Sequence, residues 1–523
     1  MNWRLSILIA LFLPFLSYAQ TTVPNIPHSC QLDHQTAAAI KQKLMDNRNS
    51  FTKQQIKDLT TNRAITYIPV VIHNVSNTSG EGETPVIDIL NFMCGLNGIY
   101  ADQEVQFFLY GPIRNRTSNN IDGNGFSFSS QVEMATNKVT NALNLYIGRS
   151  TNDQRASYYN SAGDFVFLLQ QMLSSAAKTE AHEIGHFFTL PHTFYGWEGL
   201  TAETDYPSQN VPATINNNGR NFRPERVART GSGANCQTEA DGFCDTPADY
   251  YSDRENCPYN PTMKDPTGAS LNPDESNLMS YAFDACVSTF SPEQEAAIAM
   301  DIAQRNWVSQ TPPNTGVVTG MPIAVNPADE QALGPISNPT VRLDWSDVTD
   351  ATWYYLEVYG TRIPGLNLPN TTDIVYQGMV YTGNSYFDLP TTDLIAGKYY
   401  AWRIRAMNEA STCAGFSSYY KFEASTATAI EDLPLAQQLS LKINNNPITT
   451  SYIPMTIYSS EELMGSVRLY SMDGREVLSM TKQNLAQGES IVQLPAGELT
   501  NGVYVAVLNT ERGTIQQRLV IQR

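Results

Sequence analysis

Two hydrophobic regimes divide this chain. Up to about residue 308, unbroken apolar runs alternate with stretches of helical period; beyond about residue 320, apolar residues recur at every second position. In the first regime Ile65 to His73, Val105 to Tyr110 and Leu143 to Gly148 read as strands, and Val86 to Leu96 and Ala176 to Phe188 as helices. Ser291-Pro292-Glu293-Gln294 is a capping box with proline at the first helical position, so a helix runs on to about Trp307. Strands and helices in alternation predict an α/β domain over 63–308. In the second regime Val341, Leu343 and Trp345 share one face, as do Tyr400, Trp402, Ile404 and Ala406, with turns at Asn370 to Thr372 and at Gly397. A last all-β stretch runs Val467 to Tyr470, Glu476 to Leu478 and Val503 to Leu508, turning at Asp473-Gly474 and Asn501-Gly502. The fold class is therefore multidomain: an α/β domain followed by two all-β sandwich domains, at 321–425 and 438–523, with linkers at 309–320 (Pro312-Pro313-Asn314-Thr315-Gly316) and 426–437.

Composition sets the compartment. Arg4 precedes an apolar run, Leu5 to Leu16, that ends in Ser17-Tyr18-Ala19 before Gln20, so residues 1–19 read as a signal peptide. No later stretch approaches the length of a membrane span. A net charge of -18 argues against nucleic acid or anionic membrane as a partner and favours a soluble monomer. The seven cysteines suit an oxidising compartment. Cys236, Cys244, Cys257 and Cys286 cluster closely enough for two disulfides, and their spacing does not choose among the three pairings. Cys94, inside an apolar helix, reads as a buried free thiol, and Cys413 has no evident partner.

The chemistry concentrates in His182-Glu183-Ile184-Gly185-His186-Phe187-Phe188-Thr189-Leu190-Pro191-His192. Residues four apart on a helix lie one above the other, about 5–6 Å apart, so His182 and His186 aim at one point. His192 lies six residues further on, about 9 Å along a continued helix and on another face. The helix must stop for His192 to join, and Pro191 is read as the stop. Three imidazoles without a thiolate leave a fourth position open, the pattern of catalytic zinc. Glu183 is free to act as general base toward the attacking water.

This segment resembles the elongated zinc signature of the metzincin metallopeptidases, and Thr193-Phe194 after it resembles the pappalysin (cytophagalysin) branch. The resemblance implies a secreted zinc endopeptidase that acts on protein or peptide substrates, with a sheet lying over the zinc helix. Metzincins usually carry glycine where this chain has Thr189, a position that calls for positive φ; either the turn is built differently or activity is lower. The rival reading is a surface adhesin on a degenerate peptidase scaffold.

A second match, Ser276-Asn277-Leu278-Met279-Ser280-Tyr281 followed by Phe283-Asp284-Ala285-Cys286, resembles the pappalysin Met-turn segment. It implies Met279 as the apolar floor under the ligands and Tyr281 as a donor to the oxyanion. Asp241-Gly242-Phe243-Cys244-Asp245-Thr246-Pro247 resembles a calcium loop, with Asp241, Thr246 and the Cys244 carbonyl as oxygen ligands; the plain alternative is an acidic solvated turn. The resemblance also favours pairing Cys257 with Cys286, which leaves Cys236 with Cys244.

Residues 20–62 read as a pro-segment with a helix from Thr36 to Asn47. Cys30 in it is either a switch on the open zinc position, as in some pappalysin zymogens, or an unpaired thiol. Activation by a switch requires a cut, placed near Arg63. The insertion Gly196 to Arg229 has no periodicity and reads as a cleft rim or an inert loop. The stretches Val341 to Gly360 and Lys398 to Asn408 resemble fibronectin type III strands, read as a spacer. YSMDGREV, LTNGVYVAVL and QRLVIQR resemble the type IX secretion sorting domain, implying export across a Gram-negative outer membrane by that machinery.

Overall fold

The computed structural model describes residues 30–523 except 31, 62, 150–156, 201, 252–256, 334–338, 362–368, 396, 425–438, 472–474 and 511. The signal peptide, the linker at 426–437 and the Asp473-Gly474 turn lie outside these residues.

Two helices open the described chain, α1 (His34–Ser50) and α2 (Lys53–Thr60). The Asp33 carboxylate caps α1 by accepting from the Gln35 and Thr36 N–H groups, and a Thr52/Gln55 capping box starts α2. There follow β1 (Thr66–Ser76), α3 (Val86–Ile99), β2 (Val105–Leu109), β3 (Arg114–Thr117), α4 (Asn119–Asn124), α5 (Phe128–Asn137), β4 (Leu143–Gly148), β5 (Tyr158–Asn160) and β6 (Phe165–Leu169). These strands form one sheet in the order β2-β1-β4-β6-β5, with β3 also on β1. Every pairing is parallel except β5 on β6. Parallel strands are covered on both faces, which is why β4 and β6 read as continuous apolar runs and are buried throughout.

Beneath this sheet lies α6 (Lys178–Phe187); then come α7 (Ala202–Asp205), a small hairpin of β7 (Ile215–Asn217) and β8 (Arg220–Phe222), and α8 (Pro292–Gln304). The insertion therefore carries structure where its sequence showed no period. At the hairpin turn Asn218 lies 2.9 Å from the His34 ring and Arg220 donates to the His34 carbonyl, so it reaches α1.

Beyond α8, a five-stranded and a three-stranded sheet face one core that contains Leu343, Trp345, Leu356, Trp402 and Phe422. Val318, in the stretch read as a linker, is buried in the same core. This unit is not a freely hinged spacer. Trp353, Tyr355 and Met407 belong to the core that also holds α3 and α6. Leu109 N–H donates to the Glu409 carbonyl at 2.9 Å and Arg405 to Asn91 Oδ1 at 2.8 Å. Cys94 is bonded to Cys413, which corrects both the free-thiol reading of Cys94 and the lack of a partner for Cys413. Cys94 is half-buried rather than buried, and hydrophobic period told nothing of a partner 319 residues away. The C-terminal strands form three- and five-stranded sheets around a separate core that includes Ile453, Val467, Leu469, Ala506 and Leu519.

Candidate metal centre

Helix α6 begins after Ala177, itself left-handed (φ 51), and carries His182, Glu183 and His186. Its crowding explains Gly185: a Cβ there would stand 2.5 Å from the Met279 sulfur. The helix ends before Pro191 can act, which corrects the expectation that proline stops it. Thr189 takes the left-handed conformation (φ 68); its N–H donates to the His186 carbonyl and the Leu190 N–H to the Gly185 carbonyl, each at 2.9 Å. This is a Schellman closure, normally made by glycine and here made by threonine. The turn is therefore built in the usual way despite the β-branched residue, and it carries the chain back so that His192 faces the helix.

The three imidazoles converge. His186 Nε2 stands 3.1 Å from His182 Nε2 and 3.2 Å from His192 Nε2. His182 Nδ1–H donates to the Leu278 carbonyl and His186 Nδ1–H to the Leu190 carbonyl, both at 2.7 Å, and Glu198 Oε1 lies 3.4 Å from His192 Nδ1. Those bonds fix the tautomer and leave the Nε2 lone pairs aimed at one another, an arrangement that calls for a cation between them. Burial and the neighbouring rings push His186 and His192 well below the ordinary histidine pKa, which favours the neutral form that a metal would require. Tetrahedral zinc with Zn–N of about 2.0–2.1 Å needs N···N of about 3.3 Å and, with sulfur, S···N of about 3.6 Å. The residues fit that ion. The fourth corner is Cys30, whose Sγ stands 3.8 Å from His186 Nε2. Among the described residues this is the one cluster of three or more His, Cys, Asp or Glu able to hold a metal, with all four donor atoms within 4.8 Å of one another.

Glu183 stands beside this cluster and is fully buried. One oxygen accepts from the Tyr159 N–H of the edge strand β5 at 3.1 Å; the other, Oε1, makes no hydrogen bond of ordinary geometry. Burial raises its pKa to about 8, partly offset by the Cys30 thiol and the Tyr159 N–H. Tyr281 packs its ring 4.9 Å from that of His192, with its phenol on Cys30; burial, then the fields of Cys30 and Glu183, push that phenol well up. Met279 is wholly buried under α6, and its carbonyl accepts from the Thr193 N–H at 3.1 Å. A relay holds this segment: the Gln294 amide of the α8 capping box pairs with Asn277 at 2.8 Å, and Asn277 Oδ1 accepts from the Met279 N–H at 2.9 Å.

The 241–246 loop lies apart from the histidines. Asp241 accepts from the Phe243 N–H at 3.0 Å and the Thr246 hydroxyl at 2.8 Å, and the Cys244 N–H donates to Glu293. Cys236 is bonded to Cys244 and Cys257 to Cys286. Several supports of the centre escaped sequence reasoning. Arg305 lies 3.6 Å over the Phe187 ring and donates to the Phe187 carbonyl, while ion-paired with Asp301 and Asp164. The Tyr100 hydroxyl donates to the Ala181 carbonyl at 3.0 Å. Neither has a local motif; a basic residue just past a helix end was the sole hint for Arg305.

Residues 445–522 match the family of secretion system C-terminal sorting domains. An extracellular metalloprotease of Neurospora crassa is 27% identical over 45% of this chain and 74% of its own length. One of Sordaria macrospora is 26% identical over 44% of this chain and 70% of its own. An α-L-rhamnosidase structure from Dictyoglumus thermophilum is 12% identical over 40% of this chain, which spans 29% of that structure, with a TM-score of 0.17, too low to imply a shared fold. The sorting domain and the extracellular relatives make this an exported chain, secreted or held at the cell surface. No helix among the described residues is long and apolar enough to cross a membrane.

Proposed function

We propose that the chain is a secreted zinc endopeptidase of the pappalysin type, and that residues 30–62 hold it latent. The observation that carries this is the convergence of three neutral imidazole nitrogens, 3.1–3.2 Å apart, beside a buried carboxylate, Glu183, of which one oxygen has no partner of ordinary geometry. An ion bound there would polarise the scissile carbonyl and lower the pKa of a water to about 7. Glu183 then takes one proton from the attacking water as its oxygen bonds to the carbonyl carbon. As the C–N bond breaks, Glu183 returns that proton to the amine. The Tyr281 phenol donates to the developing oxyanion, and Met279 fixes the helix from below.

Cys30 fills the fourth corner in this reading. Its sulfur blocks the position a substrate carbonyl would take, and Glu183 and Tyr281 both face the thiol. The other reading of the 241–246 loop, calcium on Asp241, Thr246 and the Cys244 carbonyl, stands apart from this proposal and is tested by calcium titration of thermal stability.

The test is casein hydrolysis by the processed protein, beside its Glu183→Ala form and after chelation. Hydrolysis should vanish in both and return with zinc in the first alone. Equal hydrolysis with and without the Glu183 carboxylate would sink the reading. In the full chain, Cys30→Ser should release hydrolysis before any cut; a Cys30→Ser chain as inert as its parent would leave the thiol without a blocking role.

A further inference from the structure

One polar strip of α1, with Lys41 and Arg48, is turned to the body of the protein and partly covered, while Gln35, Gln42, Asp46 and Asn49 are exposed. The apolar face of the helix, with Ala37, Ile40 and Leu44, is buried in the first core. Seven residues apart on another face, Lys41 and Arg48 reach the loop before Thr246: Lys41 Nζ donates to the Ala240 carbonyl at 2.8 Å, and Arg48 to the Gly242 carbonyl. The Arg48 guanidinium also lies 4.5 Å over the Phe243 ring. Gly242 is left-handed (φ 86), and a Cβ on it would stand 2.3 Å from Lys41 Nζ, so the loop is shaped to admit the ammonium.

Negative charge surrounds both cations. Asp241, Glu225 and Glu239 act on Lys41, and Glu293, Asp241 and Asp245 on Arg48. Glu225 is 1% exposed, and its Oε2 has no hydrogen-bond partner. A buried carboxylate oxygen left unpaired beside two open carbonyls is costly unless cations cover it. Arg229 ion-pairs with Glu225 through Oε1, and residues 30–62 add Lys41 and Arg48 only while they remain.

We propose that the surface centred on Asp241, Glu225 and the Ala240 and Gly242 carbonyls is a docking site for basic amphipathic helical stretches of a polypeptide substrate, filled by Lys41 and Arg48 until their segment leaves. Its partner presents two cations about two helical turns apart, with the apolar residues between them on the side that Ile40 and Leu44 now occupy. The substrate part of this inference rests on the peptidase reading; the docking part does not.

The test uses the full chain carrying Glu183→Ala, folded, then cut between residues 50 and 66 at an inserted protease site and freed of the segment in high salt. The probe is a fluorescein-labelled peptide of residues 34–50, which lacks Cys30 and so owes nothing to the metal. Anisotropy should report binding that weakens about tenfold or more when the peptide carries Lys41→Ala and Arg48→Ala, and again as salt rises. An unrelated helical peptide with Lys and Arg seven apart should compete, and its Ala forms should not. The substitutions being compared sit in the peptides and the protein is the same in every titration, so a difference between peptides cannot be blamed on a misfolded protein. Equal binding by the parent and doubly substituted peptides would overturn the site. Displacement of the parent peptide by millimolar calcium alone would overturn the polypeptide assignment in favour of a divalent cation. Failure of either kind says nothing of casein hydrolysis, which tests the peptidase reading separately.

Discussion

Replacing Thr189 with glycine tests the turn that delivers His192. Thr189 is left-handed, 1% exposed, and its hydroxyl has no hydrogen-bond partner. A left-handed non-glycine residue costs about 1–2 kcal/mol, and branching at Cβ places threonine in the upper half of that range. An orphaned buried hydroxyl adds about 1–3 kcal/mol. Glycine forfeits about 1 kcal/mol of γ-methyl burial and about 0.5–1 kcal/mol to its greater freedom in the unfolded chain. The balance makes Thr189→Gly more stable by roughly 2 kcal/mol, a rise of about 4–8 °C in Tm for a unit of this size. Thr189→Val keeps the strain and removes the hydroxyl, so it should recover only the orphan contribution. Thermal unfolding followed by near-ultraviolet circular dichroism, at fixed zinc and with metal content measured for each protein, reads all three. A lower Tm for Thr189→Gly at unchanged metal content would refute the strain argument.

Three further outcomes follow from the packing. Gly185→Ala drives a methyl toward the Met279 sulfur, where a Cβ would stand at 2.5 Å; overpacking of about 1–3 kcal/mol should displace the helix and weaken zinc retention against a chelator, and full retention would contradict the fit. Cys94→Ala with Cys413→Ala opens a loop of 319 residues and should cost about 3–5 kcal/mol, read as a lower urea midpoint; an unchanged midpoint would deny the link any stabilising part. His73 is buried, with a pKa lowered to about 4, first by desolvation. Its unfolded value is about 6.5, so the unfolded chain binds the proton first; the stability it confers is complete above pH 6.5 and is lost as pH falls toward 4, by about 3 kcal/mol. His73→Gln should flatten that part of the urea-midpoint profile of the chelated protein, and an unaltered slope would assign the acid loss elsewhere.

Three of the six strands of the first sheet, β1, β2 and β4, were legible because parallel strands buried on both faces must be apolar without interruption, and β4 begins and ends where its run does; β3, β5 and β6 were not read. The α8 start was legible because a capping box is a local device. The histidines were legible because helix geometry and a forced reversal leave few ways to read their spacing. What stayed hidden is long-range. The Tyr159 N–H on Glu183, the Arg305 clamp and the Cys94–Cys413 bond depend on where distant elements come to rest, and no period in the chain encodes that. Thr189 is the instructive case: its sequence argued against the conformation it adopts, and the two hydrogen bonds that close α6 decided otherwise.

The core shared by α6 with Trp353, Tyr355 and Met407 bears on when the centre can exist at all. A ribosome that has released residue 308 has delivered every histidine and acid of the site, yet not the wall on which α3 rests. That wall is tied to α3 when Cys413 meets a thiol 319 positions upstream, in surroundings that oxidise it. Closure of that link belongs to the oxidising side of the export route, after the polypeptide has left the reducing cytoplasm.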